Sequence, residues 1–215
     1  MRAAVDVGET VIRLSTMLAV SMSQYADFCL STGAARVTEA RSHGGQPFDL
    51  YADWKAAVLG RLARGEPLGT AAEMWPGLEA DAKKAKRYPV LLDGMRTWVS
   101  GVTDKIVTSN RETSDALHSV NVRVNPEIAL KMPTGHLTPV KLYLRTAPLT
   151  KARVALLCGL MADGFASLAL PCVNFAVLDV ARSRLHYGGT PAALTKAREV
   201  LHAEALCYAA LRGGR

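Results

Sequence analysis

The stretch Lys83-Lys84-Ala85-Lys86-Arg87-Tyr88, followed by Arg96-Thr97-Trp98, carries residue types suited to binding a polyanion. Ammonium and guanidinium groups neutralise phosphates and release counterions, and an exposed aromatic ring can stack on a base. The competing reading makes Tyr88 and Trp98 core anchors of a helix whose lysines are merely solvated. The surrounding charge favours the first. The chain has 215 residues and a formal net charge of +7, and thirteen Lys/Arg stand against five Asp/Glu between Lys83 and Arg153. The parts outside that window are together near neutral. Lys83, Lys84, Lys86 and Arg87 form one knot; Arg96, Arg123, Lys141, Arg145, Lys151 and Arg153 are spread over the elements that follow. Such a concentration draws nucleic acid or another polyanion.

Other chemistries leave no mark. The chain has no GxxxxGK[ST] loop, no GxGxxG turn, no HExxH and no GxSxG. His43, His118, His136, His186 and His202 are mutually distant, and Cys29, Cys158, Cys172 and Cys207 form no CxxC pair or zinc spacing. The cysteines read as reduced thiols, which fits a cytoplasmic protein. No apolar run reaches the ~18–20 residues of a membrane-spanning helix. Met1 to Gln24 lacks the basic start of a secretory signal and reads as part of an amphipathic helix. Asp179 stands out, because an acid inside Phe175-Ala176-Val177-Leu178-Asp179-Val180 needs a partner; Arg182 or Arg184 is at hand.

These residues sit on elements legible from periodicity. Val7, Val11, Leu14, Leu18, Met22 and Tyr25 predict a first helix over about 7–30, and 32–46 reads as a polar connector. Tyr51, Trp54, Val58 and Leu62 share one face of a helix over about 50–64, capped by Asp49 and ended by Gly65. A short turn over 70–75, a basic helix over 78–87 and a new helix opened by Pro89 complete a helical region, residues 1–101. The texture then changes to an α/β core over 102–215, and the two parts are compatible with one compact domain. Residues 102–117 read as a loop or irregular hairpin. Val120, Val122 and Val124 alternate with polar residues over a strand at 119–130. Val140, Leu142 and Leu144 predict its partner, giving an antiparallel hairpin with one wet, basic face. A helix over 150–168, an apolar strand over 173–180, a short strand over 183–187 and a last helix over 190–211 follow. The fold class is α+β or α/β, a small mixed sheet flanked by helices.

The order strand, strand, helix, strand in the second half resembles the restriction-endonuclease-like PD-(D/E)xK fold. In that family a hairpin carries an acid near its bend and an acid-x-lysine on the next strand. The carboxylates hold a divalent cation, and the lysine helps to orient or activate water. The resemblance offers Glu127, in Pro126-Glu127, as the first acid and Lys141 as the lysine. It implies catalytic roles for Glu127 and Lys141, and Glu127 with Asp179 as ligands of a Mg²⁺. The acid expected two residues before Lys141 is replaced by Pro139; Glu9 or Asp179 would have to stand in. The missing acid favours a nucleic-acid-binding protein without catalysis and without a cofactor. A metal-dependent nuclease is the second reading. The third is a homo-oligomer or partner module using the apolar faces of the first and last helices, or Trp54 and Trp75 if exposed.

Overall fold

The computed structural model describes residues 18–42, 49–109, 112–118, 120–166, 168, 172 and 174–213. The start of the expected first helix, Glu9, His43 and the end of the polar connector lie outside them.

Strand β1 (Leu18–Ser21) leads directly into helix α1 (Met22–Leu30). The helical spacing of Leu18 and Met22 therefore misassigns 18–21: β1 pairs in parallel with a later strand and buries Val20. The helix starts where Ser21 and Gln24 close a reciprocal capping box. Helix α2 (Gly33–Ser42) occupies what reads as a polar connector. It is held from outside: Arg36 pairs with Glu204 and lies over the Phe28 ring, and Ala40 is fully buried.

Helix α3 (Ala52–Arg64) ends at Gly65, which takes the left-handed cap conformation at φ 68°. Asp49 accepts from the Tyr51 N–H and pairs with Lys55, just ahead of the helix. Helix α4 (Ala71–Met74) carries a Thr70/Glu73 capping box. Helix α5 (Ala82–Gly101) is continuous through Pro89, so the expected restart there does not occur. Asp81 caps it by accepting from the Lys83 and Lys84 N–H groups. Buried Tyr88, Leu91, Leu92 and Met95 hold the turn around the proline.

The described strands form two sheets. The smaller runs β1-β4-β3, with β3 (Thr113–Leu117) and β4 (Val120–Val124) antiparallel. The larger runs β2-β5-β6-β7-β8, comprising β2 (Lys105–Thr108), β5 (Ile128–Lys131), β6 (Leu137–Tyr143), β7 (Ala176–Asp179) and β8 (Arg184–Tyr187). Only β6 and β7 are parallel within it. The expected antiparallel hairpin of 119–130 with the strand around 140–144 therefore holds for its second part, β5 with β6, and is corrected for 120–124, which lies in the other sheet. Pro126 interrupts the run, leaving β4 in one sheet and sending β5 to pair with β6 in the other. The presumed loop 102–117 holds β2 and β3, one in each sheet. Nor has β6 a wet face: from Thr138 to Tyr143 every residue is buried.

Helix α6 (Lys151–Ala166) crosses from β6 to β7, and helix α7 (Pro191–Gly213) packs along it. One core gathers α1, α6, α7 and the smaller sheet with Tyr143 and Val177; the other packs α3 and α5 on the opposite face of the larger sheet. The fold is α+β. The apolar faces of α1 and α7 are used internally: the Tyr25 hydroxyl donates to the Leu201 carbonyl at 2.7 Å, and Tyr208 sits edge-on to Tyr25 and Phe28. Trp54 is fully buried and Trp75 packs edge-on to Tyr88, so neither is the exposed aromatic that an interface would need. No helix among the described residues is long and apolar enough to cross a membrane.

Candidate nucleic-acid interface

The antiparallel β5–β6 register, carried one pair beyond Ile128–Val140, sets Glu127 directly across from Lys141. Their side chains meet: Lys141 Nζ lies 2.7 Å from Glu127 Oε1. The ammonium also donates to the Asn125 carbonyl at 2.9 Å and to Asn125 Oδ1 at 3.1 Å. Glu127 Oε2 accepts from the Leu142 backbone N–H at 2.9 Å. All three lysine protons and both carboxylate oxygens are therefore engaged. Lys141 is buried at 6 % exposure, so it is neither an outward strand lysine nor available to a phosphate. Pro139 pairs with Ala129 on the same strand face, where the family pattern would place its second acid.

Two rows beyond Lys141, the parallel strands β6 and β7 end at Tyr143 and Asp179. The loop 144–150 that leaves β6 is gripped by arginines from separate elements. Arg87 of α5 donates to Thr146 Oγ1, and Arg182, just after β7, donates to the Thr146 carbonyl at 2.8 Å. Arg182 also bonds both oxygens of Asp179 at 3.1–3.2 Å, and Asp179 accepts from the Leu149 N–H at 3.4 Å. Arg145 and Arg153 converge on Asp27 of α1, with Arg153 also above the Tyr143 ring at 5.7 Å. Asp27 is the residue missed by sequence reasoning. Its signal, a charge inside Tyr25-Ala26-Asp27-Phe28, is the one that singled out Asp179.

Further cations stand along α5. Lys83, Lys86, Arg87 and Val90 stand at i, i+3, i+4 and i+7, one face of a helix, and Val90 is exposed. Exposed Lys151 stands at the first turn of α6, whose N–H groups favour anions. Lys83, Lys86 and Lys151 have no side-chain partner among the described residues. Three of the expected contacts are placed elsewhere. Lys84 pairs with Asp53 of α3; Arg96 is spent on the Leu68 and Gly69 carbonyls; Arg123 is on the smaller sheet, 3.7 Å from Glu112. Tyr88 and Trp98 are buried anchors, which corrects the base-stacking expectation.

A second polar cluster lies where β3, α6 and α7 meet. Asp163 of α6, 5 % exposed, pairs with Arg198 and has His202 Nε2 at 3.8 Å. Asp115 of β3 is beside it. Burial pushes the Asp115 carboxyl up from 3.8 to about 6; the Asp163 charge adds to the rise, while His202 and Arg198 oppose it. The folded state then holds a proton that the unfolded chain releases between about pH 4 and about 6, so stability falls as pH rises through that window. Asp115→Asn removes this penalty. It is expected to stabilise the protein by on the order of 1 kcal/mol near neutral pH, discounted for Asp115's partial exposure, with the gain vanishing near pH 4. Urea midpoints across that range check it; a gain that grows as pH falls would contradict it.

The nuclease resemblance implies a divalent cation, which the carboxylates do not fit. Mg²⁺ takes hard oxygen ligands. Glu127, Asp179 and Asp27 each already face a lysine or arginine through the bonds above, and Asp179 also accepts from the Leu149 N–H. Among the described residues, no three His, Cys, Asp or Glu side chains gather as a metal site.

The three-dimensional arrangement has a solved counterpart. The crystal structure of a "Putative exonuclease" from Eubacterium rectale superposes with a TM-score of 0.51 at 9 % identity, over 100 % of this chain and 88 % of that one. The likeness is one of fold. No protein-family profile and no curated protein matches the chain.

Proposed function

We propose that this protein binds nucleic acid without cutting it, gripping the phosphate backbone with the face formed by Lys83, Lys86, Arg87, Arg145, Lys151 and Arg153. The observation that carries the reading is the gathering of Arg87, Arg145, Arg153 and Arg182 around one loop at the carboxyl ends of the parallel strands. Asp27 holds Arg145 and Arg153, Asp179 holds Arg182, and Thr146 holds Arg87, which leaves the face net positive. The three lysines without partners supply mobile phosphate contacts.

The test is a salt series with duplex and single-stranded DNA and with RNA. Lys83→Ala/Lys86→Ala/Lys151→Ala is expected to reduce the slope of log affinity against log salt by about 2–3 for duplex DNA, at about 0.9 per lost contact. Arg123→Ala, on the other sheet, should leave it nearly unchanged. Binding that is indifferent to salt, or equal slopes for wild type and the triple variant, would remove the proposal.

One observation favours a second reading, a divalent-metal-dependent nuclease: Glu127 stands opposite Lys141 in a fold like that of a putative exonuclease. Plasmid, oligonucleotides and RNA incubated with Mg²⁺ or Mn²⁺ test it. Cleavage lost in Glu127→Ala, folded by circular dichroism, would replace binding with catalysis as the conclusion.

A further inference from the structure

A cavity of about 510 Å³ opens beside β2, the outermost strand of the larger sheet, lined by the whole of β2, Leu62 of α3, and Lys131 and Leu137. No carboxylate is among its lining residues. Lys105 and Lys131 are cross-strand partners, so their side chains leave the sheet on the same face. The Ser109 N–H donates to the Glu127 carbonyl at 2.9 Å. Counting back by twos, Lys105–Lys131 is a hydrogen-bonded pair, with Cα atoms about 5.5 Å apart. Like charges placed directly opposite destabilise a sheet. Neither lysine has an acidic partner among the described residues.

A lone lysine on an edge strand is explained by protection against edge-to-edge pairing. A second lysine opposite the first, on the inner strand and in the same cavity, is not. Two ammonium groups at that spacing suit a dianion. The same counting turns the N–H groups of Ile106 and Thr108 outward at the unpaired edge, where they can donate to an anion. Leu137 and Val107, the latter 37 % exposed, stand on the lysines' own face of the sheet and supply apolar wall. The volume falls in the range of small-molecule sites.

We propose that the cavity beside β2 binds a small phosphate monoester with an apolar body, its phosphate held between Lys105 and Lys131. A phosphate monoester carries a charge near −2 around neutral pH, whereas a simple carboxylate carries −1. The cavity shares no residue with the cationic face around Thr146, so either proposal can fail without the other.

Phenyl phosphate is the probe, titrated by calorimetry in low-salt, phosphate-free buffer. Saturable binding is expected, with an affinity at least about tenfold lower in Lys105→Gln/Lys131→Gln, because two charge-assisted contacts are lost. Inorganic phosphate, which lacks the apolar body, should bind several-fold more weakly than phenyl phosphate. Without ligand, the double variant should melt no lower than wild type, since repulsion has been relieved; this also certifies that it folds. Equal affinity in wild type and double variant, phosphate matching phenyl phosphate, or no saturation by about 10 mM would each overturn the proposal.

Discussion

Lys141→Met is expected to cost about 3–5 kcal/mol, the penalty for stripping one partner from a buried ion pair. The side chains of Lys141 and Glu127 are 8 % and 11 % exposed, so water cannot replace the lost ammonium. The Glu127 carboxylate would be left in the sheet interior with only the Leu142 N–H as donor, and both Asn125 acceptors would lose their donor. The added change Glu127→Gln removes the stranded charge while its amide oxygen still accepts from Leu142. Lys141→Met/Glu127→Gln should therefore be more stable than Lys141→Met alone, by about 1–2 kcal/mol. Urea unfolding of the four proteins in the cycle checks this. A single variant within about 0.5 kcal/mol of wild type would mean that the pair is a solvated surface contact. A double variant less stable than the single would mean that the carboxylate, not the pairing, holds β5 to β6.

The pairing of Glu127 with Lys141 was legible in the sequence as a proximity, through the order of elements and the Pro126-Glu127 dipeptide. Its closed form was not, because that depends on Asn125 turning both its carbonyl and its side chain onto the ammonium. The α6–β7–β8–α7 succession was legible because β7 lies in one apolar run and the two helices are opened by Thr150 and Thr190. The partner of β4 was not. Val120, Val122 and Val124 specify a half-buried strand but not which sheet buries it, and β1, about a hundred residues earlier, supplies the neighbour. Asp179 betrayed its pairing because Arg182 is three residues away; Asp27 did not, because Arg145 is 118 residues away. The charge window is a property of numbering alone. The face was harder to read: Lys84, Arg96 and Lys141 lie within it by number, yet are consumed by Asp53, the Leu68 and Gly69 carbonyls, and Glu127. Arg182, outside the window, nonetheless bonds the loop at Thr146.

Gly94→Ala should destabilise the protein by about 3 kcal/mol or more and weaken the proposed nucleic-acid binding with it. A Cβ at Gly94 would stand 1.9 Å from the Val180 carbonyl oxygen and 3.0 Å from its carbon, both backbone atoms that no rotamer change can move aside. Here α5 lies directly on the turn Val180–Arg182 that follows β7, and the Ser183 hydroxyl donates to the Gly94 carbonyl at 2.8 Å. Admitting a methyl group means prising the helix from the turn, which loosens Leu91, Met95 and Trp98 against Leu178 and Val180. The same turn carries Arg182, whose bonds to Thr146 and Asp179 fix the cationic loop. Overpacking at Gly94 therefore reaches the proposed interface through Arg182, although residue 94 itself would touch no nucleic acid. Gly60→Ala in α3 is the control: its Cβ meets only the end of the Arg64 side chain at 3.5 Å, so helix propensity should make it stabilising by up to about 1 kcal/mol. Denaturant midpoints of both variants, with salt-dependent binding measured where Gly94→Ala is still folded, decide the matter. If Gly94→Ala matched Gly60→Ala in sign, the close approach of α5 to the Val180 turn would not exist in solution.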